Sequence, residues 1–148
     1  MLMTTRDLFA RHNLRCTTQR RALYETLCDQ PDHPTAEELF RLVRPHIARL
    51  SLATVYNTLE ALCRAGLTRR LPTGNGCCRY DADTTEHLHL CFRESDEIQD
   101  VPGELSDRMM THLRRSVITE IERELGVRIE SLSIQLLASR TRQRAGAF

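Results

Sequence analysis

Residues 51–67 read SLATVYNTLEALCRAGL, and the way this stretch folds decides the first half of the chain. Leu52, Val55, Leu59 and Leu62 recur at helical spacing, which puts them on one stripe. Ser51 stands just before the stripe, where a hydroxyl caps the free N–H groups of a first turn. Gly66 stands where a helix leaves in the left-handed conformation. The pattern predicts a helix over residues 51–65. Its other face carries Ala53, Thr54, Asn57 and Arg64, with Tyr56 at the edge. Short, polar or flat side chains over an apolar back suit a DNA major groove. A tyrosine ring packs on a thymine methyl, and an asparagine bonds an adenine edge or a phosphate. A solvated amphipathic helix with no DNA partner has the same outline.

On the N-terminal side three more helices are expected. TTRDLFARHN is short and amphipathic. TTQRRALYETLCD has Thr17 or Thr18 as N-cap. TAEELFRLVR starts at Thr35, with Glu38 completing a capping box, and stops at Pro45. After Gly66 the period changes to two. LTRRLP and CCRYDAD are strands joined by the turn TGNG. Helices followed by a hairpin outline a winged helix-turn-helix, with 51–65 as recognition helix and 67–81 as wing. Arg15, Gln19, Arg20 and Arg21 near the preceding helix are placed to anchor phosphates or reach a minor groove, and the wing offers Arg69 and Arg70.

Charge is divided along the chain. Residues 1–80 hold 12 arginines and 7 acids, a net +5; residues 81–148 hold 9 arginines and 13 acids, a net −4, and the whole chain carries +1. There is no lysine. A basic half suits a polyanion, and an acidic half suits cations or a partner. No run of about 18 apolar residues is present, so no membrane span is expected. The N-terminus lacks a signal-like apolar stretch, which points to a cytoplasmic protein. The six cysteines form no C-x-x-C pair and are expected to be reduced and mostly buried.

In the second half, EHLHLCF (86–92) alternates like a strand, so His87 and His89 share a face. That is half of a metal site. Asp81, Asp100 and His33 are candidates for the rest. Three imidazoles and two carboxylates without thiolate favour Fe(II), Mn(II) or Zn(II) over Cu(I) or Mg(II). DEIQDV is a further strand. One long helix is expected after Pro102, with Leu105, Met109, Leu113, Val117, Ile121 and Leu125 on one face and Gly126 at its end. VRIESLSIQLLAS is a final strand, and the tail RTRQRAGAF is expected to be frayed. The fold class is α+β: a winged helix-turn-helix over 1–82 and a small α/β metal-binding and dimerisation domain over 83–148.

LRCTTQRRALYETL, HPTAEELF, SLATVYNTLEALCRAGL, RYD and EHLHL with DEIQDV, in this order and spacing, resemble the ferric uptake regulator family of bacterial metalloregulators. The resemblance is close over residues 8–101 and extends beyond in pattern. It implies a dimeric repressor of double-stranded DNA that reads an AT-rich inverted repeat, with one regulatory divalent metal per subunit at the hinge between its domains. It implies His33, Asp81, His87, His89 and Asp100 as ligands, Tyr56 as a base-contacting residue and Arg15 as a minor-groove residue. Aspartate at position 100 is similar to the peroxide-responsive subgroup, in which Fe(II) drives oxidation of ligand histidines, here His33 and His87.

The chain departs from the family's pattern where many members hold a structural zinc with two C-x-x-C pairs. Those positions fall on Phe92 and Ser95 and near Arg140, so no four-cysteine zinc is expected, and dimer stability must come from the apolar face of 105–125 and from strand pairing. A haem-responsive member, with Cys28 or Cys91 as ligand, and a zinc-responsive one are alternatives. A metallohydrolase would need an open coordination position, a base and a pocket, and only Glu86 stands beside the histidine pair. No enzymatic activity is expected. A DNA-binding module with a metal-free effector domain is a further reading.

Overall fold

The computed structural model describes residues 3–113, 115–130 and 132–141. Their elements run α1 (Thr5–Arg11), α2 (Thr18–Cys28), α3 (Ala36–Val43), α4 (Leu52–Arg64), β1 (Arg69–Pro72), β2 (Cys78–Asp81), β3 (His89–Phe92), β4 (Ile98–Asp100), α5 (Gly103–His112), α6 (Arg115–Leu125) and β5 (Gln135–Ala138). The chain divides into two units, Met1–Thr85 and Glu86–Phe148.

In the first unit every helix starts on a hydroxyl. Thr4 and Thr35 form capping boxes with Asp7 and Glu38, Thr17 caps α2, and Ser51 accepts the Thr54 amide at the start of α4. Each cap satisfies an N–H that the helix itself cannot. Helix α4 ends as its sequence indicates. Gly66 takes φ 71°, the Gly66 amide bonds the Cys63 carbonyl, and the Leu67 amide bonds that of Leu62, a Schellman motif. Of the expected stripe, Val55, Leu59 and Leu62 are fully buried and Leu52 is half-buried. Val55 and Leu59 pack with Leu23 and Leu27 of α2, Leu39 and Val43 of α3, and Tyr80 of β2. Leu62 joins Phe9 and Leu67 in a second cluster, where the Phe9 ring meets Tyr24 edge-on at 5.4 Å.

The hairpin pairs β1 and β2 antiparallel, with Arg70 opposite Tyr80. Its turn closes through Asn75, whose carboxamide oxygen accepts from the Cys77 amide and the Thr73 hydroxyl, and through Gly76 at φ 82°. Strand β2 also bonds back to the start of α3: the Tyr80 amide donates to the Pro34 carbonyl, and Thr35 bridges Arg79. Past β2 the chain turns on its own carboxylates, the Asp83 amide donating to Asp81 and the Thr85 amide to Asp83. The Arg69 guanidinium holds the Thr84 and Thr85 carbonyls.

The second unit is a three-stranded sheet in the order β4-β3-β5, antiparallel between β3 and β4 and parallel between β3 and β5. Three expectations change here. The strand expected over 86–92 begins at His89, because the Leu88 amide leaves the ladder to donate to the Ser106 hydroxyl. The single long helix is two, since Leu113 adopts an extended backbone (ψ 108°) that breaks the hydrogen-bond ladder. No proline or glycine marks that break. The last strand is confined to four residues. Gly126 (φ 62°) ends α6, and the Val127 and Ile129 amides are taken by the Glu122 carbonyl and carboxylate. Most of the tail, residues 142–148, lies outside the described residues.

The apolar balance of the two units differs. In the second unit Leu88, Cys91 and Ile98 are the buried apolar residues among those described, while Leu105, Met109, Leu113, Val117, Ile121, Leu125, Val127 and Leu137 are 40–70% exposed. A unit this small with so much apolar surface in water is short of core.

Leu59→Ala removes a fully buried side chain from the centre of the first unit. It is expected to cost about 2–5 kcal/mol. Leu42→Ala, at an exposed position on α3, is expected to change stability by less than about 0.5 kcal/mol. Urea denaturation of the two variants measures the difference.

Candidate metal centre

The second unit builds one cluster of ligand-type atoms. Strand pairing sets His89 directly opposite Asp100. His87 lies just ahead of the strand, yet its ring stays beside that of His89, with centroids 4.4 Å apart. Both imidazoles present Nε2 to the same carboxylate oxygen: Oδ1 of Asp100 is 3.1 Å from His87 and 3.4 Å from His89. The shared face expected from the i,i+2 spacing is therefore present, although only one of the two histidines is in the strand. Ser106, fully buried, secures the residue between them by accepting the Leu88 amide at 2.9 Å, and the Val101 amide bonds the Leu88 carbonyl at 2.9 Å.

The first unit builds a second cluster. His33 Nδ1 lies 3.6 Å from Asp81 Oδ1, and both side chains are almost wholly buried. His33 has φ 48°, a left-handed conformation that disfavours a residue with a Cβ. Three neighbours hold it there. The Arg79 guanidinium donates to the His33 carbonyl at 3.1 Å and to Glu38 at 2.9 Å, the Pro34 carbonyl accepts from Tyr80, and Thr35 is locked in its capping box.

These separations fit metal coordination. Donors about 2.1 Å from one first-row ion lie about 3.0 Å apart at a right angle and about 3.4 Å apart at the tetrahedral angle. Each cluster pairs imidazole nitrogen with carboxylate oxygen, a donor set suited to Fe(II), Mn(II) or Zn(II). The cysteines stand apart from this chemistry. Cys91 is buried on β3 and burial raises its thiol pKa; Cys28 is surface-exposed, and partial desolvation raises its thiol pKa too, with the Tyr24 hydroxyl bond opposing.

The expected DNA face of α4 is presented outward. Ala53, Tyr56 and Asn57 are exposed, and the half-buried Thr54 bonds Ser51 through both hydroxyl and amide. Arg15 is exposed, while Gln19 and Arg20 are half-buried and the Arg20 guanidinium bonds the Arg15 carbonyl at 3.1 Å. The wing arginines differ from expectation. Arg69 is spent on backbone carbonyls, and Arg70 shares Glu60 with Arg64, at 2.9 and 3.3 Å. One partner of α4 was not legible in sequence: the Tyr56 hydroxyl donates to Glu37 Oε1 on α3 at 2.5 Å. This bond holds the phenol protonated, its pKa pushed up to about 12, and holds the Glu37 carboxyl below its usual range.

The family model described as "Ferric uptake regulator family" matches residues 11–136. The chain belongs to the ferric uptake regulator family. It is a metal-responsive transcriptional regulator of that family, whose members are DNA-binding dimers. A peroxide-responsive repressor, PerR, of Staphylococcus saprophyticus is 29% identical over 117 residues, covering 72% of this chain and 79% of that protein. The ferric uptake regulator of Pseudomonas aeruginosa, solved with manganese, has the same fold at a TM-score of 0.69 and 22% identity, over 95% of this chain and 100% of that one. A zinc-bound manganese uptake regulator matches at a TM-score of 0.63 and 27% identity, over 94% and 100%. The ferric uptake regulator architecture, an N-terminal DNA-binding domain followed by a dimerisation domain, accounts for the element order here. No described helix is long and apolar enough to cross a membrane.

Ser106→Ala leaves the buried Leu88 amide without its acceptor. The expected cost is about 1–3 kcal/mol. Hydrogen exchange at Leu88 and His89, compared with wild type, is expected to speed up before that of the first unit.

Proposed function

We propose that His33 and Asp81 of the first unit and His87, His89 and Asp100 of the second bind one Fe(II) or Mn(II) ion together, and that the occupied protein represses transcription. The observation that carries this is the convergence of two Nε2 atoms on one oxygen of Asp100, matched by the buried His33–Asp81 pair. The ion supplies positive charge that offsets the two carboxylates. Five donors of nitrogen and oxygen favour iron or manganese over a four-ligand zinc site. Residues 1–82 act as the DNA-binding domain and 83–148 as the metal-binding and dimerisation domain. Metal shifts the population of arrangements only as far as it prefers the one that fits DNA.

Dimerisation is served by the exposed apolar side chains of α5 and α6 and by β5, the outer strand of the sheet among the described residues, where Leu137 is 64% exposed. No four-cysteine zinc takes part. A two-fold dimer reads an inverted repeat. The DNA target is an AT-rich duplex, with Thr54, Tyr56 and Asn57 in the major groove and Arg15, Gln19 and Arg20 on the backbone or minor groove. The protein works in the cytoplasm and is not an enzyme.

Anisotropy of a labelled AT-rich inverted repeat is expected to report DNA binding at least about tenfold tighter with Mn(II), or with Fe(II) under anaerobic conditions, than without metal. His89→Ala is expected to abolish that gain, and Zn(II) to give less of it. Equal affinity with and without metal would sink the sensor mechanism. Peroxide sensing is a second reading, favoured by the 29% identity to a peroxide-responsive repressor. It predicts one added oxygen atom on the His33 or His87 peptide, by mass spectrometry, when iron-loaded protein meets hydrogen peroxide.

A further inference from the structure

Tyr56 is the largest side chain on the outward face of α4, and its hydroxyl is already occupied by Glu37 at 2.5 Å. An acidic residue on a face that meets phosphate is costly, so its presence calls for a reason. The contact spans two helices, from the first turn of α3 to the second turn of α4. It is a bond between a phenol and an ionised carboxylate, a strong and directional kind. It uses the hydroxyl and leaves the residue 44% exposed.

The acceptor is itself held in place. Glu37 lies inside the capping box of Thr35 and Glu38, and the Glu38 carboxylate is further bonded by Arg79 of β2 at 2.9 Å. The first turn of α3 is therefore fixed at its N-cap and by the wing strand. We propose that Glu37 is a positioning residue for DNA recognition, fixing the Tyr56 ring in the orientation that meets the base edge. This rests on the reading of α4 as the recognition helix. Binding DNA then orders one less flexible side chain, because its rotamer is chosen in the free protein. The carboxylate also gives a sequence-independent backbone contact nothing to gain at this spot, so the effect is confined to specific sites.

The test uses the full chain saturated with Mn(II) and anisotropy on an AT-rich inverted repeat and on a scrambled duplex. Glu37→Ala is expected to weaken binding to the repeat about fivefold and to leave the scrambled duplex unchanged or slightly tighter. Glu37→Gln keeps an acceptor for the hydroxyl and is expected to stay within about twofold of wild type. Tyr56→Phe is expected to match Glu37→Ala, and the double variant to be no worse than Tyr56→Phe alone, the coupling that marks two residues acting through one bond. Equal or tighter binding of Glu37→Ala to the repeat, with Tyr56→Ala weakened, overturns the positioning role and leaves Glu37 as a charge that repels phosphate. An unchanged Tyr56→Ala shows instead that the recognition reading itself fails.

Discussion

The turn at His33–Thr35 is the constraint on which the first unit depends. His33 is held in a left-handed conformation, at a cost of about 1–2 kcal/mol. The segment is pinned three ways: by Arg79 on the His33 carbonyl, by the Pro34–Tyr80 bond, and by the capping box of Thr35. These contacts do two things at once. They turn the imidazole towards Asp81, and they set the first turn of α3. A ligand-type side chain and the first turn of α3 are thus tied together through the same few residues.

The second unit is organised by a different shortage. Its buried apolar residues among those described are few, and its helices keep a row of leucine, isoleucine, valine and methionine side chains exposed. Polar contacts do much of the local work, above all the Leu88–Ser106 bond and the pairing of His89 with Asp100. A protomer built in this way gains most from a second copy. Its folding stability then depends on protein concentration, as for other dimers whose monomers lack a full core.

The electrostatics of the first unit are more selective than its net charge. Of the arginines expected to face DNA, Arg69 serves the backbone and Arg64 and Arg70 share one glutamate. Arg15 remains outward on the segment before α2. A basic half-chain therefore describes the long-range field that attracts a polyanion. It does not name the side chains that touch it.

Much of this was written in the sequence because local rules set it. Hydroxyls before apolar stripes marked the helix starts at Thr17, Thr35 and Ser51, and Gly66 ended α4, since caps and left-handed exits depend on neighbours along the chain. The i,i+2 spacing of His87 and His89 pointed to their shared face, although His87 lies ahead of the strand and the Leu88–Ser106 bond and Asp100 help set it. Other features needed the folded chain. The break at Leu113 has no proline or glycine to announce it, and a helical stripe runs across it unchanged. The bonds from Arg79 to His33, from Leu88 to Ser106 and from Tyr56 to Glu37 join residues 18 to 46 positions apart. Periodicity and capping act over a few residues, whereas the partner of a buried amide or an exposed phenol is chosen by packing between elements, and only the tertiary structure decides it.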